Sequence, residues 1–146
     1  NNRARGLLLT SAGEVVVRNN YFSTPGSAIL VEGDSNYWFE SGATNHIVIE
    51  ENEFVDCAYV SDWGKAPIQV SPSAEVWEEE ERYHQCLEIR KNTFKCFDER
   101  LVNAMNLKML IFEQNKIEKT GTFPKIPGNA LELDGILEVK TDLKEK

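Results

Sequence analysis

Residues 14–22, Glu14-Val-Val-Val-Arg-Asn-Asn-Tyr-Phe22, decide the fold, because the pattern they carry returns three times along the chain. The later copies are Ile47-Val-Ile-Glu-Glu-Asn-Glu-Phe54, Leu87-Glu-Ile-Arg-Lys-Asn-Thr-Phe94 and Leu110-Ile-Phe-Glu-Gln-Asn-Lys-Ile117. Each copy has an apolar residue, a variable one, a second apolar one, two polar ones, then Asn, a polar residue, and Phe or Ile. Self-similarity at a spacing of roughly 20–45 residues is the mark of a repeat architecture. A second class of short apolar segments alternates with the first. It comprises Gly6–Thr10, Ala28–Val31, Pro67–Val70, Leu101–Ala104 and Ala130–Leu133.

The unit is therefore strand, turn, Asn-strand, turn, with a last partial unit at Ile136–Val139. Short strands without helix-length apolar periods between them do not suit a βαβ sheet. They predict an all-β chain, a right-handed parallel β-helix of about four to five rungs, cut from a longer helix. Residues 1–146 form one domain on this reading. Stacking places equivalent residues about 4.8 Å apart, so each column can be tested for consistency. Val15/Ile47/Leu87/Leu110, Val17/Ile49/Ile89/Phe112 and Phe22/Phe54/Phe94/Ile117 are apolar throughout and should face inward. Arg18/Glu50/Arg90/Glu113 alternates in sign, as an exposed column of in-register strands should. Asn20/Asn52/Asn92/Asn115 should form an amide ladder at a bend, with Asn itself in the left-handed backbone.

Two insertions interrupt one phase of the unit, 32–45 (EGDSNYWFESGATN) and 71–85 (SPSAEVWEEEERYHQ). The equivalent connections at Ser11–Gly13 and Met105–Lys108 are expected to be tiny turns. All three tryptophans lie outside the repeat: Trp38 and Trp77 in the insertions, and Trp63 in the long turn 56–66. Loops on a rigid scaffold are where function concentrates. Glu32, Asp34, Tyr37, Trp38, Phe39 and Glu40 combine carboxylates with aromatic faces, a pattern that suits a sugar. The bland reading makes those aromatics a satellite core. Residues 75–83 could form a helical turn or two with Ser71 or Ser73 as N-cap, and their glutamates read as a solvated face without calcium-loop spacing.

The formal charge is -8 and the isoelectric point about 4.8, which argues against nucleic acid and anionic membranes as partners. No apolar run is long enough to span a membrane. Cys57, Cys86 and Cys96 lack metal-type spacing and the only histidines are His46 and His84, so no metal site is expected. Buried thiols are the plainer reading of Cys57 and Cys96, with a disulfide between them left open.

NNRARGLLL, the VVVRNNYF strand, TPGSAILVEGD and YWFESG together resemble the later half of the β-helix domain of glycoside hydrolase family 110. These are bacterial exo-acting enzymes that remove terminal α-1,3-linked galactose with inversion. The resemblance covers roughly residues 1–120 and is most specific over 1–42. It implies a galactoside substrate, no cofactor, a secreted or periplasmic setting, and substrate contacts at Arg5, Glu32, Asp34, Tyr37, Trp38 and Glu40. Trp77 joins them through its place in the second insertion. Glu32 and Asp34 are the first candidates for catalysis, without an assignment of acid or base. The family pattern also has an aspartate pair upstream of this region, and no Asp-Asp occurs here. The chain is thus expected to supply one wall of the sugar site. The rival readings are a non-catalytic glycan-binding β-helix and a lyase or epimerase on the same scaffold. An uncapped end of the stack is expected to favour self-association.

Overall fold

The computed structural model describes residues 4–33, 42–73 and 81–144. Its twelve strands are β1 (Leu7–Leu9), β2 (Glu14–Arg18), β3 (Tyr21–Phe22), β4 (Ile29–Val31), β5 (His46–Glu50), β6 (Glu53–Val55), β7 (Ile68–Val70), β8 (His84–Arg90), β9 (Thr93–Cys96), β10 (Val102–Glu113), β11 (Lys116–Lys119) and β12 (Leu131–Thr141). A single 3-10 turn, Ser61–Trp63, is the only helical element among the described residues. Every pairing between these strands is parallel, and each joins one repeat to the next. One curled sheet runs β1-β4-β7-β10-β8-β5-β2 with β12 beside β10, and a second runs β11-β9-β6-β3.

The registers are those expected from the columns. Val15, Ile47, Leu87 and Leu110 are consecutive partners, as are Val17, Ile49, Ile89 and Phe112. Alternation along each strand then sends these side chains to one face. Ile47, Ile49, Leu87, Ile89, Leu110 and Phe112 are all buried, with Ile29, Ile68 and Val70 from the other strand class. The rings of Phe22, Phe54 and Phe94 stack at 5.2 and 4.8 Å between centroids. Each such buried side chain stabilises the fold by roughly 1.5–3 kcal/mol.

The asparagine ladder is present. The Nδ2 of Asn20 donates to Asn52 Oδ1 at 3.1 Å, that of Asn52 to Asn92 Oδ1 at 3.1 Å, and that of Asn92 to Asn115 Oδ1 at 3.0 Å. One detail differs from expectation. The left-handed residue at each bend is the one before the asparagine: Asn19, Glu51, Lys91 and Gln114, with φ of 58°, 55°, 55° and 58°. The amide spans that residue instead, because Asn20, Asn52 and Asn92 each donate to the carbonyl two positions back, at Arg18, Glu50 and Arg90.

The charge column forms in part. Glu50 takes both Arg18 and Arg90 as partners. Arg90 then turns to Glu88 at 3.2 Å, so its pairing with the register neighbour Glu113 is not among the ion pairs of the described residues. The hydrogen bonds from Arg18 hold the Glu50 carboxyl below its ordinary range.

Two other expectations are corrected. Met105–Lys108 is not a turn, since β10 passes through it unbroken, bent at Asn106 with φ 54°. Likewise Ile136–Val139 is not a separate partial unit but the second half of β12, bent at Gly135 with φ 66°. Met105 pairs with Asp134 and Leu107 with Ile136, which puts the two bends at the same level. One left-handed residue is enough to turn the corner that the insertions elsewhere occupy.

Candidate functional site

The outward faces of β4 and β7 form the floor of a groove. Because Ile29 and Val31 point into the core, Leu30 and Glu32 face out, followed in register by Gln69 and Asn103. The wall is the turn 56–66. Asp56 and Ala58 adopt left-handed backbone, with φ 47° and 61°. The Ala58 N–H donates to Thr24 O (3.1 Å) and Gly26 O (2.9 Å), and Val60 N–H donates to Pro25 O (2.9 Å). Ser27 Oγ donates to Ala66 O at 2.7 Å. Gly64 lies so close to the Ser27 backbone and hydroxyl that any Cβ there would overlap them. The turn is therefore pinned at both ends, and it holds Trp63 52% exposed at the groove's rim.

A cavity of ≈ 190 Å³ lies between Arg5, Leu30, Asp62, Trp63, Lys65 and Gln69. It adjoins a second of ≈ 520 Å³ bounded by Lys65, Asn103, Pro127, Asn129 and Glu132. Ser61 and Lys65 line both, so the two make one continuous groove across the repeats.

The electrostatics of this groove differ from those of the ion-paired residues Arg18, His46, Glu50, Glu88 and Arg90. On the β2-β5-β8 face, charged groups are tied to one another. In the groove, the side chains of Arg5, Asp62, Lys65 and Asn103 make no hydrogen bond or ion pair among the described residues, and Glu32 makes none either. Gln69 and Glu132 are already engaged, Gln69 with Ser27 and the Lys65 N–H, Glu132 with Asn129. The groove thus presents a guanidinium, a carboxylate, an ammonium, an amide and an indole, all with free bonding capacity. An exposed indole beside such groups can stack on the apolar face of a pyranose while the polar groups bond its hydroxyls.

Of the predicted site residues, Arg5 and Glu32 fall within the described structure. Arg5 is exposed and lies level with Ser27; Glu32 is half-buried and lies just beyond Val31. About five residues of rise separate them along the β1–β4 pair, roughly 16 Å at ~3.3 Å per residue. Asp34, Tyr37, Trp38, Glu40 and Trp77 lie outside the described residues, as does most of the 75–83 segment. Phe39 lies outside them too. Trp63 was visible in the sequence as a tryptophan in a long turn, but its place beside Arg5 follows only from the stacking of the repeats. Asn103 and Lys65 gave no signal in the sequence at all.

Cys57 and Cys96 are buried free thiols and Cys86 is a half-buried one. Burial pushes Cys96 up to about 12 and raises Cys57 as well. That makes both poor nucleophiles and distances them from any chemistry in the groove.

The chain is similar to curated α-1,3-galactosidases. It is 41% identical over 126 residues, 86% of its length, to α-1,3-galactosidase A of Bacteroides fragilis. To α-1,3-galactosidase B of Bacteroides thetaiotaomicron it is 37% identical over 123 residues, 83% of its length. To α-1,3-galactosidase A of Shewanella woodyi it is 37% identical over 124 residues, 85% of its length. The chain spans about a fifth of the length of these relatives, 21%, 20% and 20% respectively. No family model matches it. The resemblance read from the sequence is borne out by these relatives and is consistent with the C-terminal part of glycoside hydrolase family 110.

Proposed function

Taking this kinship with the α-1,3-galactosidases as premise, we propose that the chain is the sugar-binding wall of an inverting glycoside hydrolase that releases terminal α-1,3-linked galactose. The groove of unpaired polar groups beside the exposed Trp63 indole carries the reading. The stacked repeats are, on this reading, rungs of a right-handed parallel β-helix. Parallel pairing between successive repeats and corners turned by single left-handed residues support it.

In this arrangement Trp63 stacks on a sugar ring, Arg5 and Asn103 bond its hydroxyls, and Glu32 closes the far end. An inverting site needs two carboxyl groups roughly 6.5–9.5 Å apart, with room between them for the attacking water. About one and a half to two repeats of stacking span that distance, so a partner carboxylate from an adjoining repeat suits the mechanism.

The test is titration of the chain with an α-1,3-galactosyl disaccharide, followed by tryptophan fluorescence. Saturable quenching that is lost in Trp63→Ala and weakened in Arg5→Ala is expected. No response, or an undiminished response in Trp63→Ala, would overturn the assignment of the groove. Turnover of the same disaccharide by this chain would show that both carboxylates lie within it. Export from the cytosol belongs to the same reading, and recovery of the whole protein only from the cytosolic fraction would count against it.

A further inference from the structure

The three ligand-type groups with no metal spacing in the sequence are brought together by the register. His46 opens β5 and Cys86 is its direct partner on β8. Glu88 lies two residues further along β8 and therefore on the same outward face. One ligand atom from each of His46, Cys86 and Glu88 lies within 4.8 Å of the other two, and all three residues are half-buried. We propose that these three side chains form a binding site for a divalent cation of the zinc class.

The donor set argues for the class. A thiolate with an imidazole selects zinc-like ions over magnesium or calcium, which prefer oxygen alone. Zinc bonds of about 2.0–2.3 Å in a tetrahedron place ligand atoms roughly 3.3–3.8 Å apart, so no edge has to close by more than about 1.5 Å. His46 Nε2 already lies 3.0 Å from Glu88 Oε1. The other oxygen of Glu88 is held by Arg90 Nη1 at 3.2 Å, and Arg90 is itself bound to Glu50. Glu88 is thus fixed to offer a single oxygen, with Arg90 holding the other and Glu50 balancing the charge of Arg90, the kind of support that orients a ligand in metal sites. On binding, Cys86 releases its thiol proton to solvent. His46 coordinates through Nε2 as the neutral imidazole, with its proton on Nδ1. Water fills the fourth position.

The position gives the site a purpose. His46 is the first residue of β5, which follows the first insertion, and Cys86 is the third residue of β8, which follows the second. An ion there ties the roots of both insertions across adjacent strands, independently of any sugar.

The experiment uses the metal-free wild-type chain. Stoichiometric uptake of Zn²⁺ by calorimetry is expected, together with a thiolate-to-cobalt absorption band in the near ultraviolet with Co²⁺. The band should vanish in Cys86→Ser, and stoichiometric uptake should be lost in His46→Ala. Alkylation mapped by mass spectrometry needs no variant, and Zn²⁺ should slow modification of Cys86. A wild-type chain with neither the band nor the protection overturns the proposal, as does a band that survives Cys86→Ser.

Discussion

Arg100 donates its Nε to Asp98 Oδ2 at 2.8 Å, and both side chains are buried. The remaining guanidinium nitrogens donate to Ala58 O and Lys65 O, each at 2.9 Å. A single side chain on the strand side of the groove therefore anchors the turn that carries Trp63. Arg100→Met leaves Asp98 buried without a cation and frees two carbonyls of the turn. A loss of about 3–5 kcal/mol is expected, read by urea denaturation. Weaker quenching by galactoside under native conditions should accompany it, since Trp63 is no longer held.

The asparagine ladder should weigh more than any surface ion pair. Asn92 donates to Ile49 O, Arg90 O and Asn115 Oδ1, and its Oδ1 receives the backbone N–H and the amide of Asn52. Asn92→Ala leaves several of these groups buried and unpaired, at about 1–3 kcal/mol for each unsatisfied group. It should destabilise the chain more than Arg18→Ala. Equal denaturation midpoints for the two variants would contradict this ranking.

Acid should weaken the fold through His84. Its ring is fully buried, and burial lowers it from 6.5 to about 4. Thr44 N–H donates to Nδ1 at 3.1 Å, so the neutral ring carries its proton on Nε2, which has no hydrogen-bond partner among the described residues. The unfolded chain binds a proton at this position from about 6.5 downward and the folded chain only near 4. Stability from this group is thus complete above 6.5 and falls as pH drops towards 4, by up to ~3 kcal/mol. Glu50, held below its ordinary range, adds its own loss only at lower pH. Denaturation at stepped pH should show a slope between 6.5 and 4 that His84→Gln flattens.

The far end of the stack should be adhesive. Among the described strands β12 pairs only with β10, which leaves its other edge open. Leu137 and Val139 are exposed, and a cavity of ≈ 720 Å³ beside β12 is lined by Leu101, Ile117, Leu131 and Leu143. Open strand edges over apolar side chains template association. Light scattering of this chain should show concentration-dependent growth that Val139→Lys reduces; a monomer at all concentrations would contradict it.

The parts of the molecule that repeat were legible in the sequence because each inward column, such as Val17/Ile49/Ile89/Phe112, has to stay apolar to fill the same core. The Asn–Asn contacts were legible for the same reason, a shared bend with a shared need. The left-handed residue beside each asparagine was not, since Asn19, Glu51, Lys91 and Gln114 have only backbone geometry in common. The groove was half legible. Glu32 stands out at the start of an insertion and Arg5 through the family resemblance, whereas Lys65 and Asn103 become neighbours only through stacking of repeats far apart in the chain. The His46–Cys86–Glu88 cluster was hidden for that reason too: 40 residues separate its first two members, and no local spacing encodes that.

The matched bends at Asn106 and Gly135 bear on how such a chain can diversify. The same corner is turned by one residue there and by more than a dozen at 32–45 and 71–85, while the flanking strands keep their partners. Length at that corner is uncoupled from the framework. Binding specificity can drift, or be transplanted from one repeat to another, without renegotiating the core beneath it.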